Sequence, residues 1–160
     1  MDPATVEAIV AAAGEHWTAT ENLEITLEAN PNSVEAARFS DLSNAGVNRL
    51  SLGLQSFNDA SLRFLGRAHS AREGWRALEI AQRHFRRVSF DLIYALPGDT
   101  ESGWSATLAQ ALSLGTSHLS LYQLTIEPGT RFATMVARRE FEPLDADAGA
   151  ALFELTDAMD

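Results

Sequence analysis

The chain has 160 residues, a hydrophobic fraction of 46% and a formal net charge of −10 at pH 7. This length is enough for one domain with a substantial core, and no apolar run approaches the roughly 18 residues that a membrane-spanning helix needs. All 12 basic residues are arginines and they form no basic block, so we do not expect binding to nucleic acid. The absence of cysteine excludes disulfides and thiolate metal ligands from this chain. A cytoplasmic location is expected, because Asp2 and Glu7 stand where a secretory signal carries basic residues.

Capping and breaking residues divide the chain into alternating helices and strands. The predicted helices are, in chain order, 2–16, 33–45, a short one that ends at Gly66, 70–85, 100–114 and a last one that begins at Asp145. The predicted strands are 23–30, 48–57, 87–96 and 117–127, with a turn at 128–130 and a loop at 141–143. Ser33, Ser70 and Thr100 are typical N-cap residues, and Gly46 and Gly115 are typical of the position that follows a helix.

Strands that alternate with helices predict right-handed βαβ units, and therefore a parallel sheet in an α/β fold. Two architectures are compatible with this pattern: an open doubly wound sheet and part of a (β/α) barrel. A doubly wound dinucleotide-binding fold needs a glycine-rich turn directly after its first strand, and the segment EANPNS (28–33) is not glycine-rich. Four strands do not close a barrel. We therefore predict that residues 1–160 form the central part of an incomplete parallel (β/α) barrel domain.

Each predicted strand carries polar residues near its carboxyl end, which is where parallel α/β folds bind ligands. In chain order these residues are Glu28 and Asn30, Gln55 and Ser56, Asp91 and Tyr94, and Gln123 and Thr125. A buried carboxylate needs a partner, so Glu28 and Asp91 are the informative members of this set. Their partner is either an arginine, Arg49 or Arg67, in a structural ion pair, or a cationic ligand to which Gln55 adds hydrogen bonds.

The other polar residues have simpler structural interpretations. Asn30 precedes Pro31 and is typical of a turn. His16, His84 and His118 lie at the ends of different elements, which does not favour a metal site. No Ser/His/Asp or Cys/His combination at suitable positions indicates nucleophilic catalysis.

Four blocks of the sequence resemble consecutive blocks of one protein family. These blocks are EITLEANP (24–31), AGVNRLSLGLQSFNDASLRFLGRAHS (45–70), FDLIYALPGDT (90–100) and HLSLYQLTIEPGT (118–130). They are similar to the radical S-adenosylmethionine proteins related to oxygen-independent coproporphyrinogen III oxidase. The forms SLGLQSF and LYQLTIEPGT are more similar to the haem-chaperone branch of that family, HemW, than to the oxidase branch.

The resemblance implies an incomplete (β/α) barrel that binds S-adenosylmethionine beside a [4Fe–4S] cluster. It implies that Glu28 binds the methionyl ammonium group and Arg67 the methionyl carboxylate. Gln55 and Asp91 would form hydrogen bonds with the ribose hydroxyls, and Thr125 would border the adenosine. An acidic rim suits a cofactor that carries both a sulfonium and an ammonium group, so the family and the residue pattern agree on the kind of ligand.

One departure from the family is large, because its Cys-x3-Cys-x2-Cys cluster loop is absent from this chain. The resemblance therefore implies a central segment without the first strands and the C-terminal domain, which alone is catalytically inactive and binds S-adenosylmethionine weakly in an open cleft. The parent protein would bind the cluster, S-adenosylmethionine and haem or a porphyrinogen. Three alternatives to a haem chaperone stay open: oxygen-independent coproporphyrinogen III oxidase, a barrel enzyme that acts on a phosphorylated substrate, and a non-catalytic binding module.

Overall fold

The structure, a computed structural model, describes residues 2–116 and 118–159, except for the side chain of Val34. In chain order its elements are α1 (Pro3–His16), β1 (Thr26–Ala29), α2 (Ser33–Ala36), α3 (Phe39–Asn44), β2 (Arg49–Gln55), α4 (Asp59–Phe64), α5 (Ala71–His84), β3 (Arg87–Tyr94), α6 (Glu101–Leu112), β4 (His118–Gln123), α7 (Arg131–Ala137) and α8 (Ala146–Met159). Helices and strands alternate through the first ten of these elements, apart from the consecutive helix pairs α2–α3 and α4–α5. The alternation of the sequence pattern is therefore present in the fold.

The four strands form one parallel sheet in the order β1-β2-β3-β4. In the first pair, Glu28 of β1 lies opposite Ser51 of β2. Neighbours in the sheet are thus neighbours in sequence, as right-handed crossover connections produce. The prediction of four parallel strands in sequence order is confirmed.

The two faces of β2 differ in composition, and this difference positions the candidate site. Leu50, Leu52 and Leu54 are buried, whereas Ser51 and Gly53 on the opposite face are only partly covered. Helix α5 packs against the leucine face of β2. Since side chains alternate between faces along a strand, the partly covered face is the one that presents polar groups.

Two helices begin at their predicted N-cap residues, and a third helix has a different N-cap residue from the one predicted. The Ser70 hydroxyl and Glu73 form a reciprocal capping box at the start of α5, and Thr100 accepts a hydrogen bond from the Gly103 amide at the start of α6. The predicted helix 33–45, however, is two helices, α2 and α3. Its first cap is Asn32, whose Oδ1 accepts from the Glu35 amide at 2.8 Å, so Ser33 lies inside the first turn.

Helix α7 was not predicted: a turn was assigned to 128–130 and a loop to 141–143, and no element to the residues between them. Thr130 caps this helix: its Oγ1 accepts a hydrogen bond from the Ala133 amide at 3.2 Å. A threonine three residues before that amide is an ordinary N-cap arrangement. The cap signal was therefore available in the sequence.

The chain divides into two compact units, and each has its own buried residues. The first unit contains residues up to Asp91 together with 116–120, and its core includes Phe39, Leu50 and Phe90. The second unit contains 92–115 and residues from Leu121 onward. In the second unit the Trp104 ring stacks on Tyr94 with centroids 5.0 Å apart, and its Nε1 donates to Thr156 Oγ1 at 2.7 Å.

A helix that crosses a bilayer must be both long and apolar. Among residues 2–116 and 118–159, no helix is both long enough and apolar enough to cross a membrane.

Candidate functional site

Asp91 lies on β3 with its carboxylate between the two neighbouring strands. The hydroxyl groups of Ser51 on β2 and Ser120 on β4 lie close enough to it to lower its pKa. Asp91 is half-buried, and it is adjacent in sequence to Phe90, which is fully buried. The strand therefore places an acidic group on the polar face while its neighbour fills the core.

The electrostatic surroundings of Asp91 are mixed. Burial is the largest influence and raises the pKa of Asp91 above its ordinary value of 3.8. The Ser120 hydroxyl acts in the opposite direction, and the charge of Glu28 raises the pKa further. The Ser51 hydroxyl and the Arg67 guanidinium lower it. A carboxylate whose ionised form is disfavoured in this way would be stabilised by an additional cation.

Glu28 supplies the second acidic group of this face. It lies one residue before the end of β1, is exposed, and is opposite Ser51 in the strand register. Because Ser51 also lies beside Asp91, and the charge of Glu28 acts on the pKa of Asp91, the two carboxylates belong to one neighbourhood on the sheet. The sequence predicted that these two residues would lie close together.

Arg67 supplies the positive group, and its guanidinium lies across the end of β2. Its Nη2 donates to Asn30 Oδ1 at 3.1 Å and to the Gly53 carbonyl at 3.4 Å. A Cβ atom at Gly53 would lie 3.2 Å from Arg67 Nη2 and 3.0 Å from Gln55 Nε2. The missing side chain at position 53 therefore leaves the space that these two polar groups occupy.

Gln55 ends β2 in a conformation that side chains rarely adopt. Its φ angle is +67°, in the left-handed region that costs a non-glycine residue about 1–2 kcal/mol. The Ser56 amide donates to the Leu54 carbonyl at 2.8 Å across this residue. Strained backbone of this kind is concentrated at binding sites, and Gln55 Nε2 lies, like Arg67 Nη2, beside the position of the absent Gly53 Cβ.

A buried histidine supports the same strand end. His69 is 7% exposed, and its Nε2 donates to the Leu54 carbonyl at 3.1 Å. Burial lowers the pKa of His69 below its ordinary value of 6.5. The hydrogen bond to Leu54 opposes this shift, the charge of Arg67 adds to it, and the charge of Glu73 opposes it.

We expect the protein to lose stability as the pH falls below 6.5, because the unfolded chain then binds a proton on His69 more readily than the folded protein does. This contribution is fully present above 6.5 and is lost as the pH falls toward the folded-state pKa. Urea unfolding between pH 7.5 and 5.5 measures it, with His69→Gln as the comparison. An equal pH dependence in the wild-type and variant proteins would contradict the assignment to His69.

Thr125 stands apart from the residues described so far. It follows the end of β4, belongs to the second unit and is exposed. Glu28, Gln55, Arg67 and Asp91 all belong to the first unit. The contacts of the first unit therefore connect those four residues without Thr125.

The ion pairs at the amino ends of β2 and β3 show whether Arg49 is the structural partner of Glu28 and Asp91. Arg49, the first residue of β2, binds Glu24 at 3.0 Å, and Arg87, the first residue of β3, binds the same carboxylate at 2.7 Å. Arg49 is thus paired away from Glu28 and Asp91. The interpretation of Arg49 as their structural partner is wrong, and Arg67 is the arginine beside them.

Three residues of this region were missed as site residues. The Ser51 and Ser120 hydroxyls lie beside Asp91 and lower its pKa. Asn30, interpreted as a turn residue, also accepts a hydrogen bond from Arg67. The period of two along each strand places Ser51 on the same face as Gln55, which is a usable signal. No signal of that kind connects Asn30 to Arg67, because the two are 37 residues apart.

The residues of this chain do not fit an iron–sulfur cluster. The chain has no cysteine, and the part that the structure describes contains no group of three or more His, Asp or Glu side chains that could hold a metal ion. Cluster binding in the family depends on thiolate ligands. Cluster chemistry is therefore not assigned to any residue here.

Comparison with known proteins relates the chain to one superfamily. Residues 1–111 match the family described as the Radical SAM superfamily. The mitochondrial "Radical S-adenosyl methionine domain-containing protein 1" of Bos taurus is 40% identical over 153 residues, which is 95% of this chain and 35% of that protein. "Heme chaperone HemW" of Haemophilus influenzae is 47% identical over 114 residues, which is 71% of this chain and 30% of that protein.

A solved structure shows the same fold. Coproporphyrinogen III oxidase (HemN) from Escherichia coli, described as a radical SAM enzyme, aligns with a TM-score of 0.77 over 99% of this chain and 36% of its own length. At 24% identity this likeness concerns the fold alone, and it agrees with a partial barrel. The chain spans about a third of the length of the relatives that it matches. On the family match over residues 1–111, the chain belongs to the radical S-adenosylmethionine superfamily.

Proposed function

We propose that this protein binds S-adenosylmethionine on the polar face of β1, β2 and β3 and that it serves as a haem chaperone. The observation that carries the cofactor assignment is the arrangement of two carboxylates, Glu28 and Asp91, and one guanidinium, Arg67, on a single sheet face. The chaperone assignment is supported by the 47% identity to proteins named "Heme chaperone HemW".

The charges and donors of the face match those of the methionyl group of the cofactor. S-adenosylmethionine carries a sulfonium and an ammonium group, which suit two carboxylates, and one carboxylate, which suits an arginine. In this proposal Glu28 binds the ammonium group and Arg67 the carboxylate. A cation near Asp91 also offsets the effect of burial and of Glu28 on its ionised form.

The nucleoside part of the cofactor is assigned to the remaining polar groups. Asp91 and Gln55 would form hydrogen bonds with the two ribose hydroxyls. The Ser51 and Ser120 hydroxyls, which lower the pKa of Asp91, would favour the ionised carboxylate that accepts from the ribose. The bound cofactor supplies radical chemistry only together with a [4Fe–4S] cluster, whose ligands are not in this chain, so the task of the present residues is to bind and orient.

Cofactor binding can be tested by calorimetry on the natural full-length protein, prepared without oxygen and with its cluster reconstituted. Gly53→Ala is expected to weaken S-adenosylmethionine binding by about tenfold, because the added Cβ displaces Gln55 and Arg67 by a few tenths of an ångström and strains a charge-assisted contact. Both neighbours are ends of flexible side chains, so the fold should tolerate the change.

Gly14→Ala is the matched control, since a Cβ at Gly14 meets no atom within 4 Å. Its affinity for the cofactor should equal that of the wild-type protein. Saturable binding in the wild type together with a loss confined to Gly53→Ala supports the site. Equal binding by both glycine variants, or no saturable binding to the wild type, contradicts it.

The haem assignment has its own test. Titration of the full-length protein with haem, followed by the Soret absorbance, is expected to reach a defined stoichiometry, whereas an assay for coproporphyrinogen decarboxylation is expected to show no turnover. Turnover in that assay would favour an oxidase like the E. coli structural neighbour instead. We place this function in the cytoplasm; the relatives from Bos taurus and Mus musculus carry the word mitochondrial in their names.

A further inference from the structure

Asn30 connects the start of helix α2 to the guanidinium of Arg67. Its Oδ1 accepts from Arg67 Nη2 at 3.1 Å. On the other side, its backbone amide donates to Glu35 Oε2 at 2.8 Å and its Nδ2 is 3.4 Å from Glu35 Oε1. A single asparagine thus contacts both the arginine of the candidate site and a carboxylate outside it.

The carboxylate of Glu35 determines which way the Asn30 amide points. A carboxylate oxygen can only accept, so the NH2 group of Asn30 faces Glu35 and its carbonyl oxygen faces Arg67. Glu35 is itself held by Asn32, whose Nδ2 donates to Oε1 at 3.1 Å and whose Oδ1 accepts from the Glu35 amide at 2.8 Å. The cap of α2 therefore sets the orientation of the acceptor that Arg67 uses.

Arg67 keeps donors available after these contacts. Within the described residues, the hydrogen bonds of its guanidinium are those of Nη2 with Asn30 and with the Gly53 carbonyl. A guanidinium has five N–H donors in a rigid plane. Fixing Nη2 at two acceptors therefore fixes the directions in which Nη1 and Nε can meet an anion.

We propose that Asn30 is a positioning residue, which orients the Arg67 guanidinium toward the carboxylate of the bound ligand, and that Glu35 holds Asn30 in the orientation that this requires. The inference rests on the proposed function, because the ligand carboxylate is that of S-adenosylmethionine. It adds to that function the contribution of the α2 cap to recognition of the amino-acid part of the ligand.

The test compares two ligands that differ only in the carboxylate. In the cluster-loaded full-length protein, Asn30→Ala is expected to weaken S-adenosylmethionine binding by about tenfold, since one hydrogen bond to a charged group is lost. Binding of decarboxylated S-adenosylmethionine should be unchanged. Asn22→Ala, an exposed asparagine, is the control and should leave both affinities unchanged. An equal loss for both ligands, or no loss for either, overturns the proposal.

A second measurement needs no ligand. The 15N relaxation order parameter of Arg67 Nε is expected to fall in Asn30→Ala and to stay constant in Asn22→Ala; an unchanged value for both overturns the positioning role. If the wild-type protein binds no S-adenosylmethionine, the proposed function fails and this order parameter alone decides the positioning role.

If Asn30→Ala does not fold, the near-isosteric variant Asn30→Asp replaces it. Asn30→Asp should weaken binding of the carboxylate ligand more strongly, because a negative charge on residue 30 neutralises Arg67. Undiminished binding by Asn30→Asp would again overturn the proposal.

Discussion

Replacement of Asp91 by asparagine is expected to stabilise the protein near pH 7 and to weaken its binding of S-adenosylmethionine by about ten- to a hundred-fold. The loss of affinity corresponds to one charge-assisted hydrogen bond, worth roughly 1.5–3 kcal/mol. The gain in stability follows from the raised pKa of Asp91, for which burial is the main cause and the charge of Glu28 a further one. Because Asp91 is only half-buried and solvent screens its charge, the gain should lie near the lower end, about 0.5 kcal/mol, of the range that single stabilising substitutions reach.

The dependence of this gain on pH has a definite sign. The folded protein binds a proton on Asp91 more tightly than the unfolded chain does, so the wild type loses stability as the pH rises above 3.8 through the folded-state pKa. The difference between the variant and the wild type should therefore widen over that interval and vanish below it. Urea unfolding at several pH values, with calorimetry of cofactor binding, measures both effects.

The exposed residue Asp157 provides a control, and Asp157→Asn should change neither stability nor binding. A variant Asp91→Asn that is less stable than the wild type at pH 7 would show that the interactions of the ionised carboxylate with the Ser51 and Ser120 hydroxyls outweigh the cost of burial. A variant that binds the cofactor as well as the wild type would remove Asp91 from the site.

Replacement of Phe90 by alanine is expected to destabilise the protein by about 3–5 kcal/mol, the usual cost of such a truncation in a core. The Phe90 side chain is fully buried, and its ring centroid is 6.0 Å from that of Phe57. A domain of ordinary stability has about 5–15 kcal/mol, so this one change removes a large part of it. Urea denaturation should show a lower midpoint with little change in slope.

Phe153→Ala serves as the comparison, because Phe153 is 58% exposed and its truncation should cost within about 0.5 kcal/mol. Similar midpoints for the two alanine variants would contradict the assignment of Phe90 to the core. Phe90→Ala and Asp91→Asn are thus expected to change the stability in opposite directions, although the two residues are adjacent in sequence. Only the alternation of faces along β3 accounts for that opposition.

The same alternation explains how far the sequence alone could lead. Periodicity and capping residues are signals that extend over only a few positions. They were enough to predict the four strands, the order of the strands in the sheet and the polar character of one sheet face. Glu28 and Asp91 could be predicted as neighbours because parallel strands bring their carboxyl ends together.

Other features depend on contacts that no local pattern contains. The bond between Asn30 and Arg67 joins positions 37 residues apart and depends on the path of the chain after α4. The break between α2 and α3 follows no proline or glycine, since Ala37 and Arg38 occupy it, and we have no physical account of it. Helix α7 differs from these, because its cap at Thr130 was a local signal that was assigned to a turn.

The Glu24 carboxylate, with its bonds to Arg49 and Arg87, marks an edge of the sheet that lies outside the proposed cofactor site. Those arginines begin β2 and β3, whereas Gln55 ends β2. Because the chain has no cysteine, the change Asn22→Cys near that edge would introduce its single thiol at an exposed position. A fluorophore attached there could report on the folding and partner encounters of the protein without touching the residues that hold its ligand.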